Sequence, residues 1–219
     1  GTVEALRGQV NSLAKEKGFA EKDESRDVLG EDAADKGVWL ASLVYNTQFD
    51  RSRVKPTGID IVNLEDMKKA ERLGMGNGYA VKPLVRIMQY DGGEVEISIS
   101  PALISKDNPL SRVRRERNGM QLHTKLGDTV VIDGPGAGGE ATASAVLADI
   151  RRLARNRRRG VVDNLPTLDA NVPMLDPNLS SGRWYIRLNF RDRVGIFEDY
   201  GRILRENHLS AQHSIQRHR

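Results

Sequence analysis

The chain has 219 residues, 38% apolar and 29% charged, with 34 Lys and Arg against 30 Asp and Glu. Length allows one good core with a small satellite, and no run approaches the roughly 18 apolar residues of a membrane helix. With no cysteine, disulfides, thiolate metal sites and a thiol nucleophile are excluded, and a cytoplasmic setting is expected.

Residues 3–17 place Leu6, Val10, Leu13 and Ala14 at helical spacing, and Gly18 stops that helix. A polar stretch, 19–30, carries Glu21, Asp23, Glu24 and Asp27 without a regular period. A second helix is predicted over 31–45, apolar on Ala34, Val38, Ala41 and Val44 or Tyr45. Asn63 with Asp66 three residues on resembles a capping box for a third helix, which ends at Gly74.

The middle is strand-rich. Residues 79–90 and 94–100 flank Asp91-Gly92-Gly93, a hairpin signal. Val95, Ile97 and Ile99 alternate with Glu96, Ser98 and Ser100, so one buried and one wet face are expected, with Pro101 closing the strand. Two further strands are predicted near 120–124 and 129–133, and a glycine loop then leads into a helix over 142–156. Residues 160–182 contain Pro166, Pro173 and Pro177 and read as a linker. A strand, helix and strand follow over 184–190, 195–206 and 209–216. The expected architecture is α/β (α+β), with a mixed, largely antiparallel sheet covered by helices and a short βαβ piece behind it.

Three groups of residues could do chemistry. Asp32 and Lys36 lie four apart, on one helix face, downstream of Glu21 and Asp27. Spacing alone favours a surface ion pair; the alternative is that carboxylates gather an ammonium-bearing substrate while the lysine handles a proton. The second group, Gly134 to Ser144, follows a strand and opens a helix. Its glycines would let backbone approach a ligand, or would form only a tight turn. It has neither dinucleotide-fingerprint spacing nor a Gly-Lys-Ser/Thr sequence. The third, Arg191 to Gly195, reads as a turn or as a small carboxylate site at a helix start. His208, His213 and His218 lack ligand spacing, so no metal is expected. The arginine run 151–159 ends a helix and has no aromatic platform beside it, so nucleic acid is not the expected partner.

Taken in order, several segments resemble homoserine dehydrogenases. They are Gly18-Phe19-Ala20-Glu21, Asp27-Val28, Asp32-Ala33-Ala34-Asp35-Lys36, Thr57-Gly58-Ile59, Asp91 to Glu96, Asn108-Pro109-Leu110, Gly134 to Gly138, and Thr142 to Val146. The resemblance covers most of 18–158. It implies NAD(P)-dependent interconversion of L-homoserine and L-aspartate 4-semialdehyde, on the way to threonine, methionine and isoleucine. It gives Lys36 the proton transfer, Glu21, Asp27 and Asp32 the substrate, and Gly18, Gly136 and Gly138 the approach to the cofactor. The tail from Trp184 resembles the first half of a ferredoxin-like ACT module, although Val194 stands where those modules carry proline. The implied division is 1–159 catalytic and dimerising, 160–182 linker, and 183–219 partial ACT regulatory domain, with threonine as candidate effector and a homodimer or larger assembly.

No glycine fingerprint precedes residue 18, and the first residue is Gly rather than Met. The chain is therefore expected to be part of a longer protein that carries the nucleotide-binding domain and a second site lysine, and to be inactive alone. The competing expectation is a non-catalytic amino-acid-binding module. The glycine-rich run 74–78 departs from the family pattern and has no physical explanation.

Overall fold

The computed structural model describes residues 25–73, 77–161, 167–176, 179–180, 182–191 and 193–214. The helix expected over 3–17, Gly18 and Glu21 lie outside them.

A single helical turn, α1 (Ser25–Val28), leads through Gly30 into α2 (Glu31–Tyr45). The apolar spacing read from the sequence is the reason for α2's seat: Ala34, Val38 and Ala41 are buried against the sheet. Gly37 lets the helix come close, because a Cβ there would lie 2.7 Å from Val85 Cγ1. The capping box is present, with Asn63 Oδ1 accepting from Asp66 N at 2.9 Å and Asp66 Oδ2 from Asn63 N at 3.0 Å; it starts α3 (Leu64–Arg72).

Strands β1 (Tyr79–Gln89) and β2 (Val95–Ser105) form an antiparallel hairpin, so β2 runs on past Pro101. The reason is register. Pro83 faces Pro101 in the same pair class as Val85↔Ile99 and Gln89↔Val95. In that class the β2 groups point away from β1: Ile99 O accepts from Thr57 N, and Val95 pairs outward with Pro173 O and Leu175 N. A proline there costs no ladder bond. Val95, Ile97 and Ile99 join Ala34, Val38, Ala41, Phe49 and Val54 in the core.

A 3-10 turn at Pro109–Arg112 precedes a separate antiparallel pair, β3 (Arg117–Leu122) with β4 (Val130–Pro135). Helix α4 (Gly139–Arg159) follows, three residues longer at each end than predicted, and buries none of its residues; α5 (Ile196–Glu206) also buries none. The layout is mixed α/β with antiparallel sheets, as expected.

Two tail segments differ from expectation. Residues 167–176, read as linker, lie against the core: Thr47 Oγ1 donates to Ala170 O at 3.0 Å, Asn46 Nδ2 to Asp169 Oδ1 at 2.7 Å, and Val95 N to Pro173 O at 2.9 Å. Val172 and Met174 pack on the buried cluster. The strand expected over 184–190 forms no ladder, and 209–214 form none among the described residues. Side-chain bonds hold the first of these instead. Tyr185 Oη donates to Asp66 Oδ1 at 2.7 Å, and Arg187 pairs with Asp66 Oδ2. Burial, then the hydrogen bond to Asp66, pushes the Tyr185 hydroxyl up to about 12.

Candidate active site

The elbow between α1 and α2 carries the acidic residues singled out from the sequence. Gly30 takes a left-handed conformation (φ 79°) that most side chains disfavour, and its N–H bonds Asp27 O at 3.2 Å. Asp27 thus stands on the last turn before the elbow and is exposed. Asp32 and Lys36 follow one helical turn apart, with Lys36 Nζ donating to Asp32 Oδ2 at 2.5 Å. The lysine side chain is 71% exposed, so this pair meets solvent and contributes a few tenths of a kcal/mol or less to stability.

A second set of charges, not singled out from the sequence, fixes the same helix on an adjoining flank. Asp35 Oδ2 accepts from Arg26 Nη2 at 2.6 Å, and Asp35 Oδ1 from Arg51 Nε at 2.6 Å; Arg51 also pairs with Glu31. Arg51 Nη1 donates to Val54 O at 2.9 Å. The network ties α1, the start of α2 and the turn Arg51–Arg53 together, leaving Asp32 and Lys36 on the free face. Its ion pairs join residues 9, 16 and 20 apart in sequence, which periodicity cannot register.

The glycine turn lies at the end of the other hairpin. Gly136 N donates to Glu116 O at 2.7 Å, and Gly138, at φ 108° and ψ 147°, occupies a region reserved for glycine at the start of α4. Gly138 has no capping side chain, so the first amides of a 21-residue helix stay open to a polar ligand. Among the described residues no hydrogen bond or ion pair joins this turn to Asp27, Asp32 or Lys36. The structure brings Asp32 and Lys36 together, leaves Asp27 on the preceding turn, five residues before Asp32 across the Gly30 elbow, and holds Gly136 and Gly138 on a separate element.

Two concavities among the described residues lie apart from these groups. One, of about 440 Å³, is lined by Gln48, Phe49, Asp50 and Arg51; the other, of about 150 Å³, includes Met67, Glu71, Lys82 and Arg114. In the smaller, burial, and then the neighbouring Arg114, lower the Lys82 ammonium, which donates to Val113 O. Neither is lined by Lys36.

Glu96, expected on the wet face, is only 3% exposed. Tyr90 Oη donates to Glu96 Oε2 at 2.6 Å and Ser180 Oγ to Glu96 Oε1 at 3.0 Å, and Arg86 from β1 pairs with it. Burial works to raise this carboxyl, but hydrogen bonds from Tyr90, Arg86, Ser98 and Ser180 outweigh it and hold the group below the usual glutamate value. Alternation correctly put Glu96 opposite the core; it could not show that Tyr90 and Ser180 cover that face.

A sequence profile of the homoserine dehydrogenases matches residues 6–150. Over 211 residues the chain is 34% identical to the homoserine dehydrogenase of Bacillus subtilis (strain 168), covering 95% of this chain and 47% of that protein. It is 36% identical over 176 residues to that of Synechocystis sp., covering 78% of this chain and 37% of that protein. The crystal structure of a homoserine dehydrogenase from Thiobacillus denitrificans superposes with a TM-score of 0.79 at 25% identity, over 95% of this chain and 48% of that one. These matches are all to proteins named as dehydrogenases, and each covers most of this chain. It belongs to the homoserine dehydrogenase family, and spans about half the length of the curated relatives it matches.

Proposed function

We propose that this chain supplies the substrate-holding and proton-transferring half of an NAD(P)-dependent homoserine dehydrogenase, which interconverts L-homoserine and L-aspartate 4-semialdehyde in the cytoplasm. The observation that carries this reading is the Asp32–Lys36 pair on the free face of α2, one left-handed turn after Asp27, in a chain of this family.

The chemistry follows from charge. The nicotinamide, when bound, delivers hydride to the aldehyde carbon or takes it from the alcohol carbon. The residue that must act in this half is a proton donor for the oxygen that becomes an alkoxide, and Lys36, an ammonium at the open end of its ion pair, takes that role. In the reverse direction the same nitrogen receives the hydroxyl proton. Asp27, Asp32 and Glu21 hold the substrate's α-ammonium at a fixed distance from the reacting carbon. The Gly136 and Gly138 turn, with the uncapped start of α4, fits a polar part of the dinucleotide; Gly18 is the third glycine that the family resemblance assigns to the cofactor. The acidic Glu140 in that first turn disfavours a phosphate beside it and favours a neutral polar group there. Dimerisation, and threonine control through the tail, belong to the same proposal.

In the protein carrying its nucleotide-binding domain, Lys36→Met should lower kcat about 10²- to 10⁴-fold, the range for losing a positioned proton donor. Steady-state kinetics with homoserine and NAD(P) reads it. Turnover close to that of the unaltered protein would remove Lys36 from the reaction.

A further inference from the structure

The backbone between Asp27 and the Asp32–Lys36 pair is set from behind by a second stretch of chain. Thr57 N donates to Ile99 O at 2.9 Å, which fastens the turn 56–58 to β2. Gly58 meets the elbow from that turn: a Cβ there would lie 2.5 Å from Val28 O and 2.8 Å from Leu29 Cα. Gly30 faces the same turn from the other side, where a Cβ would lie 3.3 Å from both Pro56 Cβ and Ile99 Cγ2. Both glycines are buried.

The nearest atom opposite Gly58 is the Asp60 side-chain tip, but the next two, Val28 O and Leu29 Cα, are main chain. A side-chain tip can swing aside at little cost, but a carbonyl oxygen and a Cα move only if the elbow moves. Helix α2 cannot follow freely, because Gly37 sits tight on Val85 and Arg51 clamps Asp35 and Glu31. The displacement therefore falls on α1, which the exposed Arg26–Asp35 pair ties to α2 only weakly, and changes the distance from Asp27 to Asp32 and Lys36.

We propose that the turn 56–58 is the template for the acidic elbow, and that Gly58 and Gly30 are positioning residues that fix the Asp27 carboxylate relative to the Asp32–Lys36 pair. This rests on the reading of those three residues as substrate-handling groups. The turn touches no reacting atom; it sets the distance over which the α-ammonium is held.

The test uses the full protein with its nucleotide-binding domain. Gly58→Ala and Gly30→Ala are compared with Gly93→Ala, which shares the left-handed backbone of Gly30 (φ 90° against 79°) but has nothing within 4 Å of the added Cβ; Gly58, at φ −71°, carries no such backbone strain, so its loss reads the close approach alone. A misplacement near 1 Å costs on the order of 100-fold in a positioned reaction. Both elbow variants should lower kcat/KM for homoserine by about that factor, leave KM for NAD(P) within about twofold, and differ in this from Gly93→Ala. Equal losses toward homoserine and NAD(P), or kinetics matching Gly93→Ala, would overturn the proposal. Should the alanine variants fail to fold, Pro56→Gly decides: a selective loss toward homoserine supports the template, and unchanged kinetics overturns it. Asp27→Asn and Lys36→Met run alongside. If these keep full turnover, the site assignment itself falls and takes the template with it. If they lose turnover while the glycine variants match Gly93→Ala, only the template falls.

Discussion

Helices α2 and α4 are both amphipathic, yet they end in opposite environments. The shorter, α2, buries Ala34, Gly37, Val38, Ala41 and Ser42 under the β1–β2 hairpin. The longer, α4, buries nothing, and its Val146, Leu147, Ile150 and Leu153 are 52–57% exposed. The contrast extends to the sheets. Beneath α2, β2 is covered on both sides by helix and tail, whereas β3 and β4 leave Met120, Leu122, Val130 and Ile132 half in water. A two-stranded pair has little stability of its own. An apolar stripe thus reports that a helix face needs cover, not that the same stretch of chain provides it.

The largest effect that would sharpen this contrast is in the core. Ile97→Ala should cost about 3 kcal/mol by urea unfolding, because it empties space beneath α2. Leu147→Ala, already 55% exposed, should change stability by less than about 0.5 kcal/mol. Equal losses at the two positions would break the distinction between the regions.

A smaller effect is expected where the tail meets the first region. Asp66→Ala removes the partner of Tyr185 and Arg187 and half of a capping box, and should cost about 2 kcal/mol. Trypsin should then cut at Arg183, Arg187 or Arg191 faster than in the parent, and an unchanged digestion pattern would show that the tail is held elsewhere. The smallest expected effect depends on pH. The Glu96 carboxyl lies below its ordinary 4.5 when folded. The stability it contributes is therefore complete above pH 4.5 and is lost as pH falls through the lower folded value. Glu96→Gln should flatten acid unfolding below pH 4.5, read by circular dichroism; an unaltered acid limb would remove Glu96 as a cause.

Elements with a local cause were legible in the sequence. Helix α2 follows from apolar spacing, α3 from Asn63 and Asp66, and the β1–β2 hairpin from Asp91-Gly92-Gly93. What escaped was long-range. Arg51 reaching Asp35, Ser180 reaching Glu96, and Tyr185 reaching Asp66 pair residues 16, 84 and 119 apart, and no periodicity encodes such pairs. The strand expected over 184–190 shows the same limit: alternation in Trp184, Ile186, Leu188 and Phe190 gives two faces but cannot supply a neighbouring strand. In the site, the i, i+4 spacing of Asp32 and Lys36 was readable, while the wall behind it, made by Gly58 against Val28 and Leu29, was not.

The segment 167–176 bears on how such chains can be recombined. It meets the start of β2, with Val95 N bonded to Pro173 O and Leu175 N to Val95 O, so the first residue of the hairpin's free edge is capped by residues that come after α4. A tail exchanged between relatives at residue 160 would carry that cap away with it and leave the Val95 amide and carbonyl unpaired beside the core. Graft boundaries placed after Asp176 would keep the hydrogen bonds of Asn46, Thr47 and Val95 with the scaffold that evolved around them.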